Sequence, residues 1–402
     1  MTETRSPLSR TELVALLAML TATVAFSIDA MLPAIPEIGE ALSPDAPNRA
    51  QLVIAAFVGG LGLGTFVAGP LSDAYGRKRI AVIGAVIYTI GALASAVAPS
   101  MEMLVAARVL QGLGAAGPRV AGMAIVRDLF SGRQMAQIMS FVIFVFTLAP
   151  VFAPSLGWVL AEAFGWRSIF LSFAVFAVIS MTWLVIRQPE TLDPAKRRPF
   201  RLGKLVEGAR EVFSNRQVML AIAVQTLIFA ALFAALMSSQ QVFDRVFGKG
   251  ETFPLWFGGM AVLAAGSNLV NASIVMRLGM LPVVRRALMI QGGFTVLFLL
   301  GQVTGVLGAA FFPVAFLWYT SIFYLAGFGI GNMNAIAMEP MGHLAGLAAS
   351  IITALATIGA AILASPIGQA FDGTIRPLTL GVLGLVGLAL VLTFLLKDGE
   401  PA

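Results

Sequence analysis

This sequence predicts an all-α polytopic membrane protein with twelve transmembrane helices in two six-helix bundles, and three observations predict it. The first is composition. Of 402 residues, 58% are hydrophobic and 11% charged, with a mean hydropathy of +0.91. A soluble chain carries about a quarter charged residues, so a water-soluble domain is excluded. The second is length: apolar run follows apolar run, each near the ~20 residues that carry a helix across a bilayer. The third is placement of charge. The net charge of +6 could suggest nucleic acid, but the cations are scattered through short loops and form no contiguous polar surface, so a lipid bilayer is the partner and nucleic acid is not.

Taken in order, the apolar runs place helices at about 13–36, 51–72, 79–98, 103–126, 136–161, 167–187, 217–243, 253–276, 285–306, 310–338, 345–370 and 376–396. Interspersed Gly and Ala suit close helix packing in lipid. With the N-terminus inside, nineteen of the 26 Lys and Arg, Arg5 and Arg133 among them, face the cytoplasm and five face outward. That bias places both termini in the cytoplasm. Only Arg108 and Arg119 remain inside a helix. The longest polar segment, with Pro189, Pro194 and Pro199 and a run of cations including Arg198 and Arg201, splits six helices from six. The organisation expected is a first bundle over 1–187, a cytoplasmic linker over 188–216 with an amphipathic surface helix near Leu202–Phe213, and a second bundle over 217–402. Many transporters built from such repeats bind their substrate at the repeat interface. The first segment is too long and too polar near Asp29 for a cleaved signal peptide.

Several function classes fall away. Zero cysteines remove thiol catalysis and zinc–thiolate sites, and one histidine removes a histidine-rich metal site. There is no phosphate-cradling Gly-x-x-x-x-Gly-Lys-[Ser/Thr] loop, so ATP drives nothing here and the expected energy source is an ion gradient. No catalytic cluster converges, so no enzyme is expected, nor any cofactor.

Between the second and third helices lies Gly69-Pro70-Leu71-Ser72-Asp73-Ala74-Tyr75-Gly76-Arg77-Lys78-Arg79. One acid, a glycine fit for a backbone reversal and three cations cannot lie in hydrocarbon, so this is a water-facing turn between hairpinned helices. Gly69, Asp73, Gly76, Arg77 and Arg79 stand in an order that resembles the loop after the second helix in the major facilitator superfamily of secondary transporters, with Ala74 in place of the usual cation. Arg277-Leu278-Gly279 with Arg285-Arg286 reads as a degenerate copy in the second half.

Charges inside a membrane are costly and default to functional hypotheses. Asp29 is the one acid placed deep in a span, ~12 Å below the outer end at helical rise. Arg108 lies at a similar depth, and Arg119, eleven residues on, projects from the same face. Burial and a neighbouring arginine act in opposite senses on a carboxyl's hold on its proton. A conformational change that alters either one makes Asp29 load or release a proton, with Arg108 as its partner; the rival is a static Asp29–Arg108 pair joining two helices. Arg119 has no acidic partner in the sequence and either attracts substrate or reaches the inner surface.

The resemblance then widens. Asp29-Ala30-Met31-Leu32-Pro33-Ala34-Ile35-Pro36 is similar to the end of the first helix in drug:proton antiporters of the bicyclomycin- and chloramphenicol-resistance (Bcr/CflA) type. Arg108-Val109-Leu110-Gln111-Gly112-Leu113-Gly114 resembles the superfamily's fourth-helix motif, whose arginine is implicated in proton transfer; Gly117-Pro118-Arg119 and Ile125-Val126-Arg127-Asp128 also look typical of the group. In that loop structure the resemblance implies that Asp73 pairs with nearby cations or a helix N-terminus and locks an inner gate, to which Arg127 belongs. In the fifth helix Pro150, Pro154 and Gly157 resemble the antiporter motif Gly-x-x-x-Gly-Pro-x-x-Gly-Gly, with alanines for two glycines and Trp158 for the last. Physically, Pro150 and Pro154 delete backbone bonds and bend the helix.

In the second half Gln225, Asn268 and Asn332 are the polar candidates for a substrate cavity with Asp29, Arg108, Gln111 and Arg119, although bonds between helices explain them equally well. The reading that follows is a monomeric, proton-coupled transporter of the bacterial inner membrane. It exports small amphipathic drugs, neutral or zwitterionic and phenicol- or bicyclomycin-like, by rocker-switch alternating access. The alternative is a proton-coupled carrier of one metabolite, such as an amino acid or sugar.

Overall fold

The computed structural model describes residues 8–197, 200 and 202–397. Arg5, Arg198, Pro199 and Arg201, used above for topology, lie outside the described residues, as does the side chain of Arg133. Among the described residues twelve helices have 18 residues or more. In the first half they are α1 Arg10–Asp29, α2 Leu52–Tyr75, α3 Arg77–Ala96, α4 Met101–Leu129, α5 Gly132–Phe164 and α6 Arg167–Arg187. In the second half they are α7 Arg216–Gln241, α8 Phe253–Leu278, α9 Met280–Thr304, α10 Phe311–Met338, α11 Ala345–Gln369 and α12 Arg376–Thr393. Among the described residues ten stretches are long and apolar enough to cross a membrane; one, Gly308–Gln369, holds both α10 and α11, and α5 adds the shorter apolar stretch Leu148–Phe164. The chain is an all-α polytopic membrane protein.

The helix ends have local causes. Ser9 accepts from the Glu12 N–H at 3.2 Å and opens α1; Ser100 does the same for α4 through Met103 at 3.3 Å; Asn215 takes the N–H groups of Gln217 and Val218 to open α7. Each side chain fills a donor that the first turn leaves without a helical partner. The turn between α2 and α3 is one residue, Gly76, at φ 107° and ψ 151°. Its counterpart between α8 and α9 is Gly279, at φ 81° and ψ 156°. Both lie in a region that only glycine adopts without strain. The second half thus repeats the backbone of the charged turn where it has lost the acid.

Two boundaries differ most from those expected. The first span does not run unbroken to residue 36: α1 stops at Asp29, and a 3-10 turn, Leu32–Ala34, and a short helix, Ile35–Leu42, follow. Pro33 and Pro36 have no N–H to give a continuing helix, and each falls in the opening turn of a new helical piece. In addition, α9 begins at Met280, ahead of the expected start at 285, so residues 285 and 286 lie inside the helix and not at its first turn. Arg285 spends its charge on the neighbouring α12, donating to the Thr393 carbonyl at 2.8 Å, a favourable place for a cation at a helix C-terminus.

The chain divides into two compact units, residues 1–43 with 56–205, and residues 44–55 with 206–402. Within the first unit, α4 approaches α3 and α2 through glycines. A Cβ on Gly114 would collide with the Tyr88 N–H and the Gly84 carbonyl, and one on Gly112 with the Phe57 carbonyl. These are backbone obstacles with no side chain to rotate away. The helix Leu202–Ser214, within which the division between the units falls, is amphipathic: Leu205 and Val212 are buried, Val206 and Phe213 exposed. Its Glu211 meets His343 Nε2 at 2.8 Å, so the lone histidine is a surface partner of this helix.

Candidate functional site

The close approach of α4 to its neighbours carries Arg108 to complete burial. There the guanidinium is fully used. It donates to Gln111 Oε1 at 2.7 Å and to the Ser27 carbonyl at 2.9 Å, and it lies over the Phe57 ring at 4.4 Å and the Phe170 ring at 5.7 Å. Ser27 Oγ lies 2.6 Å from both the Thr23 carbonyl and the Tyr88 hydroxyl. Ser27 has one proton and gives it to the carbonyl, so Tyr88 donates to Ser27. A buried network therefore ties α1, α3 and α4 together. Sequence reasoning missed Ser27 and Tyr88. One signal was available: Tyr88 is one of only four tyrosines in the chain, set in an otherwise apolar span.

Asp29 closes α1 and is 5% exposed. It makes no hydrogen bond or ion pair with any described residue. Arg108 is therefore not its ion-pair partner, and the static Asp29–Arg108 bond is absent among the described residues. The segment just after Asp29 is held from α5: a Cβ on Gly157 would strike the Ala30 carbonyl. Pro150 and Pro154 precede it inside the same helix. Arg119 is partly exposed and likewise has no described partner.

At the turn of α2 into α3, Arg77 is the hub. It bonds Asp73, Ser72 Oγ at 3.2 Å and Asp128 Oδ2 at 3.0 Å. Arg79 and Arg127 are exposed and join no described ion pair. Gly69 lies in the last two turns of α2. The acid at the start of α3 is one the sequence did not mark. Glu190, from the segment after α6, accepts the Arg77 N–H at 2.9 Å and the Lys78 N–H at 3.1 Å. It also accepts from Thr191 and Leu192, each at 3.0 Å, while Thr191 Oγ1 reaches Asp128 at 3.1 Å. One carboxylate thus caps α3 and folds the following chain onto it, a favourable position for a negative group. Glu190→Ala removes that cap, and a loss of ~1 kcal/mol of stability is expected. A melting temperature in detergent equal to that of the parent chain would show the cap to be idle.

In the second unit Gln225 is buried with an Oε1 that has no described partner. Asn332 donates to Asn271 Oδ1 at 2.9 Å and to the Phe328 carbonyl at 2.8 Å, so it links α8 to α10 directly. Asn268 is exposed on α8. Gln241 accepts from Gln51 and donates to Asn48 Oδ1 at 3.1 Å, and Asn48 reaches the Phe371 carbonyl at 2.8 Å. These amides come from distant parts of the chain, so their pairing could not be read from any local pattern. Among the described residues, no group of three or more His, Asp or Glu could hold a metal ion.

Twelve long helices among the described residues, in two compact units, with a buried arginine network and a carboxyl without a described partner in the first, define a helical multi-pass membrane protein of the transporter kind. Residues 17–364 match the family model described as Major Facilitator Superfamily, and the chain belongs to that family. It therefore works in a lipid bilayer on a small-molecule substrate. The chain is 28% identical to a protein named bicyclomycin resistance protein homolog from Haemophilus influenzae, covering 88% of each chain. It is 29% identical to multidrug resistance protein MdtL from Escherichia fergusonii, covering 81% of this chain and 80% of that one. Among solved structures it resembles a D-xylose–proton symporter at a TM-score of 0.73 and 16% identity, over 98% of this chain and all of the other. At that identity the likeness is one of fold.

Proposed function

We propose that this chain exports small amphipathic drugs, including bicyclomycin- or phenicol-like compounds, in exchange for protons. The relatives' names support the drug-export part, since the similarity runs over four-fifths or more of their length. One observation carries the coupling: Asp29 is a buried carboxyl with no described partner at the end of a membrane helix. An ionisable group in such a place is costly unless it does work, and taking up and releasing a proton is the work a lone carboxyl can do. Arg108 and its network then hold α1 in register with α4 and fix where Ser27, two residues before Asp29, lies.

In this reading the six-helix bundles 1–187 and 217–402 rock about the linker 188–216. The proton gradient is the energy source without a cofactor, and the monomer is the working unit in the inner membrane with both termini in the cytoplasm. The turn around Asp73, Gly76 and Arg77 serves as an inner gate. Substrate leaves as external protons arrive at Asp29. The metabolite-carrier alternative has no observation of its own in its favour, because the sugar symporter shares the fold alone.

The test is expression in a bacterial host stripped of its own efflux pumps. A rise of fourfold or more in the concentration of bicyclomycin or chloramphenicol needed to stop growth is expected. It should come with drug-dependent proton release from everted vesicles. Growth inhibition that matches the empty vector for every drug in a panel of neutral, zwitterionic and anionic compounds sinks the proposal.

A further inference from the structure

The two arginines inside α4 have different fates. Arg108 is fully buried and bonded, to Gln111 and the Ser27 carbonyl among others. Arg119 lies eleven residues on, ~16 Å further along the same helix, and it has no hydrogen bond or ion pair with a described residue. Its surroundings in the first unit follow from the face it occupies. Gly112, on that face, abuts Phe57 and Leu61 of α2, and Gly122, a turn beyond Arg119, abuts Leu17 and Leu20 of α1. Arg119 therefore projects beside α1 and α2.

The spanning helices of this unit have no acid to spare at its depth. In α1 the acids are Glu12, bonded to Arg187 at 2.8 Å, and Asp29 at the opposite end of the helix. The acid of α2 is Asp73, bonded to Arg77. Helices α3 and α6 contain none, α5 has only Glu162 in its last turn, and α4 has Glu102 and Asp128 at its two ends. A guanidinium in a membrane span without a carboxylate, carbonyl or hydroxyl is costly. Such a group becomes favourable when a ligand brings the missing charge. The guanidinium fork offers parallel N–H donors matched to carboxylate and phosphate oxygens.

We propose that Arg119 is the receptor for an anionic group on the exported compound, a carboxylate, phosphonate or phosphate, so that small amphipathic acids and zwitterions bind more tightly than the neutral drugs the transporter also carries. This rests on the export reading above and adds a charged class to it: a neutral drug leaves Arg119 unanswered, and a purely cationic one is repelled.

The experiment uses a matched pair, the zwitterionic drug norfloxacin and its methyl ester, which lacks the carboxylate, with the phosphonate fosfomycin as a second anion. Binding to the purified full-length chain in detergent and proton release from everted vesicles are both read. The parent chain is expected to bind norfloxacin at least tenfold more tightly than the ester. In Arg119→Gln that advantage vanishes, and in Arg119→Lys, which keeps the charge without the fork, it falls by severalfold. Elution as a single peak with a parental melting temperature checks that each variant is folded; if neither is, the acid-to-ester ratio in the parent chain still decides. A ratio near one in the parent, or an undiminished ratio in folded Arg119→Gln, overturns the proposal while export itself stands. No binding and no proton signal from norfloxacin, its ester or fosfomycin overturns this proposal; the export reading falls with it only if bicyclomycin and chloramphenicol give no signal either.

Discussion

Asp29→Asn is expected to abolish drug-dependent proton release from everted vesicles while leaving the protein folded and in the membrane. The substitution keeps the size of the side chain and removes its titration. In the native chain the carboxyl has no described bond to lose, so little structural cost accompanies the change. This separates the residue from an ordinary buried ion-pair partner, whose removal strands its mate and destabilises by ~3–5 kcal/mol. Two readings can be told apart. If Asp29 carries the proton, Asn at this position gives a monodisperse protein that still binds drug but moves no protons. If Asp29 is instead structural, the same variant shows a fall in melting temperature and a proton signal reduced only in proportion to the folded fraction. Arg108→Ala should behave in the opposite way. It removes at least two hydrogen bonds and two ring contacts at once, so loss of stability is expected to precede any loss of coupling.

Gly112→Ala and Gly114→Ala are expected to destabilise the first unit, each by ~1–3 kcal/mol as overpacked sites do. The added Cβ meets the Phe57 carbonyl in the first case and the Tyr88 N–H in the second. Neither can turn aside without opening a helix. The consequence reaches beyond stability, because pushing α4 off α2 or α3 moves Arg108 relative to Ser27 and Tyr88. A fitting control lies on α2. At Gly59 a Cβ meets nothing within 4 Å, and Gly59→Ala should be neutral or gain ~0.5–1 kcal/mol from restricted unfolded chain. Melting curves of the three variants in one detergent test the contrast. Equal melting temperatures for all three would mean that the helices simply part to make room.

Much of this was legible because lipid imposes a simple code. A run of ~20 apolar residues between charged loops has few alternatives in a bilayer. The span expected at 167–187 matches α6, and the one at 253–276 falls two residues short of the end of α8. The surface helix near Leu202–Phe213 was visible through its charge pattern. What was not legible depends on partners far apart in sequence. Nothing near Glu190 says that it caps a helix starting at Arg77, 113 positions away. Arg108 and Arg119 look alike as embedded cations, and only the packed helices show that one is bonded and the other has no partner among the described residues. The break at Asp29 was within reach, since Pro33 and Pro36 advertise it, but the apolar run concealed it under a single long span.

Gly76 and Gly279 each leave a single residue between consecutive long helices, and that brevity bears on how the protein is made. Two spans so joined have no loop to hold them apart, which favours their entering the bilayer as a pre-paired hairpin. For α8 and α9 this matters, since their mean hydropathy of 1.5 each trails the 2.4 of α7 just before them. Entering together lets each shield the other's polar positions during synthesis, before later helices exist to do so.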